Sequence, residues 1–261
     1  MKRAFAWALV LMAFIGTRAD ARTLRIGVEG SYPPFSRLDP DGVVRGFDID
    51  IGAALCASLK ATCEWVQLPF DGMIPALQAG KIDAIIASMT ITEARKKQVA
   101  FTVKYYQSPA RLLVKRGTRI NPTAAGLAGK RIGLQRGTTH DRFATEVFNA
   151  ATIVRYNKQD DVFLDLIAER LDAVLTDSVV AGESFLKSRR GHKFELTGPT
   201  FTDPKYFGAG AGIALRHADT ALKAELNAAI GAIRADGTYR QIQGRYFEFD
   251  IYGAVPEEGA R

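Results

Sequence analysis

Hydrophobic and polar residues alternate between two periods along the chain. The apolar positions of residues 24–28 follow a strand-like spacing, and those of residues 46–59 and 71–79 recur at helical spacing before an apolar strand pattern at residues 82–86. A longer helical pattern over residues 219–235 is followed by the stop signal Gly237. Strands that alternate with helices predict an α/β fold with a parallel sheet and crossover helices.

A helix–strand segment recurs within the chain. Residues 71–86 match residues 160–175 at a constant offset of 89, and each copy carries an apolar-Asp-Ala sequence where its strand begins. Two generic helix–strand segments can also resemble each other by chance. The repeat favours two lobes of similar plan over one long sheet.

Two polar segments rich in Pro or Gly connect the predicted units, at residues 105–110 and 201–212. The chain is therefore expected to leave a first lobe, build a second one and return. We predict lobe 1 over residues 22–107 and 205–255, lobe 2 over residues 108–204, and a tail over residues 256–261. A cleft between two lobes is a common place for a ligand.

A cleavable signal peptide is predicted over residues 1–21. Lys2 and Arg3 precede an uncharged apolar run at residues 4–15, and the segment ends in a small-x-small cleavage pattern at residues 19–21. This run is too short to span a bilayer of about 30 Å as a helix. A buried N-terminal helix is the alternative, but it would leave the flanking charges unexplained. The prediction implies export to the periplasm.

Composition excludes several classes of protein. The 261 residues are 47% hydrophobic and 24% charged, which is typical of a globular chain rather than a disordered or coiled-coil one. The net charge of +7 is spread without a basic run that would track a phosphate backbone, so nucleic acid is not an expected partner. His140, His192 and His217 have no metal-ligand spacing, and no metal or other cofactor is predicted.

The two cysteines lie close together in the sequence. Cys56 falls near the end of a helical pattern and Cys63 at the start of the next strand pattern. In an oxidising compartment such a pair is expected to form one disulfide, with two buried free thiols as the alternative. No Cys-x-x-Cys spacing points to a catalytic role.

Four motifs carry a resemblance to a known family. They are Ile-Gly-Val-Glu-Gly-Ser-Tyr-Pro-Pro-Phe at residues 26–35, Gly-Phe-Asp-Ile-Asp at residues 46–50, residues 82–95, and Asp-Gly-Thr-Tyr at residues 236–239 with Arg-Tyr-Phe at residues 245–247. Together they resemble family 3 bacterial periplasmic solute-binding proteins, most closely the lysine/arginine/ornithine- and histidine-binding proteins. The resemblance covers essentially the whole chain after residue 21, and it also pairs Cys56 with Cys63.

The resemblance implies a fold, a function and partners. The expected fold is the type II periplasmic binding protein fold, with two lobes hinged by two crossing segments and a ligand in the cleft. The expected function is delivery of a small-molecule amino acid, or an opine derived from one, to the inner-membrane permease subunits of an ABC importer. The receptor is expected to be a monomer.

The same resemblance assigns residues to a zwitterionic ligand. Arg95 corresponds to the residue whose guanidinium binds the α-carboxylate, a geometry that lysine does not reproduce. Asp177 corresponds to the partner of the α-ammonium. The other expected contacts at this end of the ligand come from the segment Ser88, Met89 and Thr90 and from the start of a helix at Thr138, Thr139 and His140.

The ligand side chain is expected between aromatic rings. Tyr32 and Phe70 occupy the family positions that sandwich it, since aromatic faces attract a guanidinium or ammonium. Glu29 stands where lysine- and arginine-binding relatives usually carry Asp, so it is expected to pair with a distal cation. Gln135 is a further expected contact. These residues favour arginine, lysine, ornithine or histidine as the ligand.

This chain departs from the family pattern at several of these positions. Ala87 replaces a serine, Gln135 and Arg136 replace a Leu-Gln pair, and His140 replaces a glutamine. Arg136 would repel a cationic side chain if it faced the cleft, and it would not if it pointed to solvent. Arg136 or His140 is also placed to bind the second carboxylate of an opine.

Two other functions remain open at this point. The same fold includes periplasmic cyclohexadienyl (arogenate/prephenate) dehydratases, in which Glu29 or Asp177 would act as the general acid. The cleft's paired charges, without a Ser-His-Asp, Cys-His or metal set, favour binding over catalysis, and no enzyme activity is predicted. The third possibility is a sensory module of a receptor, but no membrane-spanning segment follows Tyr252.

Overall fold

The structure is a computed structural model, and it describes residues 22–253. The predicted signal peptide and the predicted tail, residues 256–261, lie outside the described residues. In the described range no helix combines the length and the apolar character that a membrane crossing requires.

The strands of the described residues fall into three sheets. Their bounds are β1 (Thr23–Val28), β2 (Ser31–Tyr32), β3 (Ser36–Leu38), β4 (Val44–Arg45), β5 (Thr62–Gln67), β6 (Ala84–Ile85), β7 (Ala100–Tyr106), β8 (Ala110–Lys115), β9 (Arg131–Gln135), β10 (Thr152–Tyr156), β11 (Ala173–Asp177), β12 (Phe194–Phe201) and β13 (Ala211–Leu215).

Helices follow most of these strands. Their bounds are α1 (Phe47–Ser58), α2 (Met73–Gln78), α3 (Glu93–Lys96), α4 (Thr139–Val147), α5 (Gln159–Ile167), α6 (Ser178–Val180), α7 (Pro204–Phe207), α8 (Thr220–Ala235) and α9 (Thr238–Gln243). Helix α6 continues as a π-helical turn over Ala181–Leu186, and 3-10 turns occupy Phe70–Gly72 and Gly191–Lys193.

The two large sheets have the same plan, which explains the repeat in the sequence. The first sheet has the strand order β5-β1-β6-β13-β7, and the second has the order β10-β9-β11-β8-β12. The repeated segment supplies α2 and β6 in the first sheet and α5 and β11 in the second. Both β6 and β11 are central strands, so the repeated sequence fills the same place in each sheet.

The prediction of parallel sheets was wrong for one strand of each sheet, because β13 and β8 run against the other four strands of their sheets. Strands β5, β1 and β6 are parallel, as are β10, β9 and β11. Strand β13 pairs antiparallel with both of its neighbours, β6 and β7, and β8 pairs antiparallel with both β11 and β12. The chain enters β8 and β13 directly from the other sheet, through the two crossing segments. Two neighbouring strands run parallel when a crossover helix connects them. A strand that the chain enters from the other sheet has no such connection, so it is free to run antiparallel.

The crossing segments connect one sheet to the other. Residues 107–109 lead from β7 to β8, and residues 202–210, which include α7, lead from β12 back to β13. All strands of the second sheet lie between these segments. No observation fixes the predicted lobe boundaries to a residue, and they stay predictions.

An aromatic core supports the carboxyl end of the first sheet. The ring of Phe35 stacks on that of Tyr106, with 4.4 Å between centroids, and Phe47 meets Phe247 edge to face at 5.2 Å. The Tyr239 hydroxyl donates a 2.7 Å hydrogen bond to the carbonyl of Tyr105. These contacts hold α1, α9 and β7 against one another, and β7 carries a tyrosine into the region of the site.

The predicted disulfide is confirmed. Cys56, near the end of α1, is bonded to Cys63 in β5, with 5.9 Å between their Cα atoms. The bond joins the carboxyl-terminal end of the helix to an edge strand of the first sheet.

Candidate functional site

A small, narrow cavity lies between the two large sheets. Both halves of the chain line it, and its walls combine aromatic, hydroxyl and charged side chains. The lining residues are Glu29, Tyr32, Phe70, Ala87, Ser88, Thr90, Arg95, Gln135, Thr138, Thr139 and His140. A wider and more open groove adjoins it and shares Arg95, Thr138 and Thr139.

Arg95 brings a positive charge to one end of the cavity. Its Nη1 donates to the Thr90 carbonyl at 2.9 Å, its Nη2 donates to the Gly137 carbonyl at 3.2 Å, and its guanidinium lies 5.3 Å from the centre of the Phe70 ring. No carboxylate of residues 22–253 lies within ion-pair distance of it. Burial lowers the pKa of Arg95 to about 10, so the side chain stays charged near neutral pH. A cation held by carbonyls alone is prepared for an anionic ligand group.

Local sequence places Arg95 at that point. It belongs to α3, a single turn whose N-cap is Thr92. The Thr92 hydroxyl accepts a 3.2 Å hydrogen bond from the Arg95 amide, which fixes the start of the turn.

Glu29 brings a carboxyl group to the wall of the cavity. Its Oε1 accepts hydrogen bonds from Ser31 Oγ at 2.7 Å and from Gln135 Nε2 at 2.6 Å. Burial raises the pKa of Glu29 to about 7, against the opposing effect of these two hydrogen bonds. Its Oε2 accepts no hydrogen bond from the described residues. A ligand cation near this oxygen would stabilise the ionised form.

Gln135 connects the two halves at this carboxyl group. It ends β9 in the second sheet, is 2% exposed, and also donates to the Asn157 carbonyl at 3.2 Å. Its side-chain nitrogen is therefore engaged by Glu29 and by its own half of the chain. The structure places it as a support for Glu29 as well as a wall of the cavity.

Asp177 lies beside the cavity at the end of β11. It accepts a 2.6 Å hydrogen bond from the Tyr32 hydroxyl, and its Oδ1 is 3.5 Å from His140 Nε2. His140 Nε2 is fully buried and has no hydrogen-bond partner among the described residues. The expected ammonium partner, Asp177, thus lies beside a histidine whose Nε2 makes no hydrogen bond within the described residues.

The start of α4 forms another wall. Thr138 is the N-cap: its hydroxyl accepts from the Asp141 amide at 3.2 Å and donates to the Gln135 carbonyl at 2.7 Å. Thr139 and His140 form the first turn and are both buried. The free amides and the positive dipole end of a helix suit an anionic group.

Ser88 makes hydrogen bonds to two buried side chains behind the cavity wall. Its hydroxyl donates to Asp48 Oδ2 at 2.9 Å, and its amide donates to the Tyr105 hydroxyl at 3.2 Å. Ser88 follows β6 with a φ of 54°, which is uncommon for a residue other than glycine. Asp48 belongs to one of the sequence motifs, but no role was predicted for it. The available signal was a carboxylate in the inward-facing register of a mainly apolar helix.

Two residues that the sequence analysis considered for the site, Met89 and Arg136, do not line the cavity. Met89 is 1% exposed and packs in the apolar cluster of the first sheet rather than among the cavity-lining residues. Arg136 is exposed and absent from the cavity wall, so the solvent-facing alternative is the one the structure adopts. Ser31, which holds Glu29, was missed because a serine after a glycine is typical of an ordinary turn.

The remaining expected residues come together around one volume. Glu29, Tyr32 and Phe70 meet Ser88, Thr90 and Arg95 from the first half of the chain, opposite the four lining residues of the second half. Among residues 22–253, no cluster of three or more His, Cys, Asp or Glu side chains has a geometry that would hold a metal ion.

The chain is similar to a well-defined set of proteins. Residues 24–249 match the profile of the bacterial extracellular solute-binding proteins, family 3. The L-arginine-binding protein of Pseudomonas aeruginosa is 50% identical over 256 residues, which cover 97% of this chain and 99% of that protein. The lysine/arginine/ornithine-binding periplasmic protein of Escherichia coli is 42% identical over 253 residues, which cover 94% and 97%.

Solved structures extend the similarity to the fold. A Salmonella typhimurium periplasmic binding protein described for its high arginine specificity has a TM-score of 0.81 and 36% identity, covering 87% of this chain and all of that one. An ancestral amino acid-binding protein, described as a precursor of cyclohexadienyl dehydratase, has a TM-score of 0.76 and 31% identity, covering 87% and 95%.

Proposed function

The chain belongs to the bacterial extracellular solute-binding proteins, family 3, and we propose that it is the substrate-binding component of an amino-acid ABC importer. Both the family and the two-lobed α/β fold that the sequence motifs implied are confirmed. The proposed ligand is a cationic amino acid, namely arginine, lysine, ornithine or histidine. The similar proteins include ones named for arginine and for lysine, arginine and ornithine.

One observation carries the proposal. The cavity wall contains a cation, Arg95, that has no carboxylate partner among the described residues. It also contains a desolvated carboxyl group, that of Glu29. A basic amino acid carries the complementary charges, a carboxylate at one end and a cation at the end of its side chain. On binding, the ligand carboxylate would pair with Arg95, for which the described chain supplies no carboxylate, and the ligand cation would pair with Glu29.

Each further contact has a role in this proposal. Asp177 would accept from the α-ammonium, together with the Ser88 segment, while the α4 start at Thr138 and Thr139 would complete the carboxylate site. Tyr32 and Phe70 would flank the aliphatic part of the side chain. Met89, which packs in the core, would contribute through its backbone position. The exposed Arg136 would leave the cationic end without a repelling charge.

In this proposal the two lobes close around the ligand when it binds. The first sheet with residues 22–107 and 205–255 would form one lobe, and residues 108–204 would form the other. Arg95 and Glu29 belong to the first lobe, and Asp177 and α4 belong to the second. A ligand that contacts both lobes favours the closed arrangement because only that arrangement satisfies all of its charges.

The remaining properties follow from the family. We propose that residues 1–21 direct export to the periplasm and are removed, and that the mature chain acts as a monomer. The closed form would dock on the permease subunits of an inner-membrane ABC importer. An opine remains within the proposal as a ligand related to arginine, because His140 Nε2 is buried at the cavity without a hydrogen-bond partner in the described chain.

Calorimetry on protein purified from the periplasm tests the proposal. Arginine, lysine, ornithine, histidine and an arginine-derived opine would be titrated in turn, with glutamine as a neutral amino acid of similar length. We expect micromolar or tighter binding of at least one basic ligand and at least tenfold weaker binding of glutamine. Equal affinities for glutamine and the basic amino acids would contradict the role given to Glu29.

A dehydratase is the second candidate, and two observations favour considering it. A similar solved structure is described as a precursor of cyclohexadienyl dehydratase. In addition, a carboxyl group with a pKa of about 7, as burial gives Glu29, suits a general acid near neutral pH. Incubation with arogenate distinguishes the two functions: formation of phenylalanine would support the enzyme, and an unchanged substrate pool with tight binding of a basic amino acid would support the receptor.

A further inference from the structure

Behind the cavity wall, Asp48, Ser88 and Tyr105 form a closed ring of hydrogen bonds. Asp48 Oδ2 accepts from the Ser88 hydroxyl at 2.9 Å, and Asp48 Oδ1 accepts from the Tyr105 hydroxyl at 2.9 Å. The Tyr105 oxygen in turn accepts from the Ser88 amide at 3.2 Å. Only Ser88 of these three residues lines the cavity.

The helix start holds Asp48 in place. Asp48 lies in the first turn of α1, where its amide donates to the Phe35 carbonyl at 2.9 Å. Gly46, the N-cap, has a φ of 140°, and a Cβ there would lie 2.2 Å from the Phe35 carbonyl oxygen. The close approach of these two segments therefore requires glycine at position 46, and it fixes the carboxylate under Ser88.

The ring determines which way the Ser88 hydroxyl proton points. A serine hydroxyl has one proton and can accept through its lone pairs. An ionised carboxylate only accepts, so a hydroxyl bonded to Asp48 must donate its proton to it. With the proton directed at Asp48, the Ser88 oxygen can offer only lone pairs to a ligand in the cavity.

Asp48 is wholly buried and has no cationic partner among the described residues, so its ionised form depends on its hydrogen bonds. Burial raises the pKa of Asp48 to about 7, while the hydrogen bonds from Tyr105 and Ser88 favour its ionised form. Its position in the first turn of α1 adds the favourable end of the helix dipole. The carboxylate thus depends on the two hydroxyl donors that it orients.

We propose that Asp48 is a positioning residue for ligand binding: it takes the hydrogen bond of the Ser88 hydroxyl, so that Ser88 Oγ accepts a hydrogen bond from the α-ammonium of the ligand. The inference rests on the proposed function and deepens it. Ser88 lies two residues before Thr90, whose carbonyl holds the Arg95 guanidinium. If Arg95 binds the α-carboxylate, the group attached to the neighbouring carbon, the α-ammonium, comes next to the Ser88 segment.

A double-mutant cycle tests the route through Ser88. Asp48→Leu removes both acceptor oxygens and keeps the same number and branching of side-chain heavy atoms, and Ser88→Ala removes the hydroxyl. We expect each single variant to weaken arginine binding by about tenfold, and Asp48→Leu to have less than a twofold further effect in the Ser88→Ala background. Asp50→Leu is the matched control, because Asp50 also accepts a tyrosine hydrogen bond, from Tyr246 at 2.6 Å, in the same helix turn but away from the cavity.

A second readout separates positioning from a general structural effect. Arginine and 5-guanidinopentanoate, which lacks the α-amino group, would be titrated into each variant; lysine and 6-aminohexanoate would replace them if lysine is the tighter ligand. Asp48→Leu should reduce the preference for the α-amino compound about tenfold. Asp48→Asn, which offers one acceptor to two hydroxyl donors and is the variant to use if the leucine variant fails to fold, should reduce it by about threefold.

The possible failures are distinguishable. Equal losses for both compounds, or an undiminished effect of the Asp48 variant in the Ser88→Ala background, would overturn this inference while wild-type arginine binding kept the proposed function intact. If the wild-type protein bound none of the four basic amino acids, the proposed function and this inference would both be overturned.

Discussion

Tyr32 donates a 2.6 Å hydrogen bond to Asp177, although 145 residues separate them in the sequence. Tyr32 lies in the small three-stranded sheet, which belongs to the first half of the chain, and Asp177 ends the central strand of the second large sheet. The bond therefore joins the two halves at the cavity. It also leaves Asp177 Oδ1, 3.5 Å from His140, as the carboxylate oxygen that does not accept from Tyr32.

Removing this hydroxyl should weaken binding and leave the fold intact. In Tyr32→Phe the carboxylate loses a donor that orients it and links the halves. We expect ligand affinity to fall by about five- to tenfold, or roughly 1–1.5 kcal/mol, with most of the change in the dissociation rate measured by stopped-flow. Tyr156→Phe is the control, because Tyr156 makes an equivalent 2.6 Å bond to Asp165 within the second half. Similar losses in both variants would contradict a special role for Tyr32.

Arg95→Ala should weaken binding strongly without destabilising the free protein. The guanidinium is desolvated and has no carboxylate partner in the described chain, so its removal relieves a cost of burial. We expect the melting temperature without ligand to stay the same or rise, and ligand affinity to fall by about 30-fold or more. Differential scanning calorimetry with and without ligand measures both effects.

The control for this variant is Arg142→Ala. Arg142 also lies over an aromatic ring, 5.7 Å from the centre of Tyr206, but it pairs with Glu146 and does not line the cavity. It should keep the ligand-induced rise in melting temperature. If the ligand raised the melting temperature of the Arg95→Ala variant as much as that of the wild type, Arg95 would not be the residue that binds the ligand carboxylate.

Glu29 should make binding of a basic ligand dependent on pH. Burial raises its pKa to about 7 in the free protein, and a bound cation would lower it, so binding releases a proton. Affinity should then rise with pH between about 5 and 7, by at most tenfold per pH unit for this one group. Calorimetry in buffers of different ionisation enthalpy counts the released protons. In Glu29→Gln the pH slope should be reduced, and an unchanged slope would assign the proton to another group, such as Asp48.

The same shift gives a stability prediction of opposite sign. A carboxyl group whose folded pKa lies above its unfolded value binds its proton more tightly in the native state. Its contribution therefore favours folding at low pH and is lost as pH rises from about 4.5 to about 7. Over that range Glu29→Gln should gain stability relative to the wild type without ligand, as measured by urea unfolding. A constant difference between the two proteins would mean that Glu29 is not shifted.

The disulfide should contribute to stability and not to affinity. The loop it closes spans a sequence separation of 7, for which loop-closure entropy gives about 2 kcal/mol. Urea unfolding of the Cys56→Ser, Cys63→Ser variant should show a loss of this order. Ligand affinity should be unchanged, because Cys56 lies about 12 Å along α1 from Asp48. A tenfold loss of affinity would show that the helix end is coupled to the site.

Much of the architecture could be predicted from the chain itself. The alternation of strand and helix patterns, the repeat that fills β6 and β11, and the disulfide all depend on residues close in sequence. The antiparallel strands could not be predicted in this way. Their direction depends on where the chain crosses between sheets, and local periodicity is the same for either direction.

Sequence by itself determined the α/β class, the duplicated plan and the types of charged group that reach the cavity, because period and motif are local properties of the chain. Tertiary structure alone decided that Met89 enters the core, that Arg136 faces solvent, and that Asp48 lies under Ser88. These outcomes depend on which distant segments exclude water from a side chain and which donors they bring to it. Desolvation and hydrogen bonding across the fold, rather than residue type, therefore set what each of these groups can do.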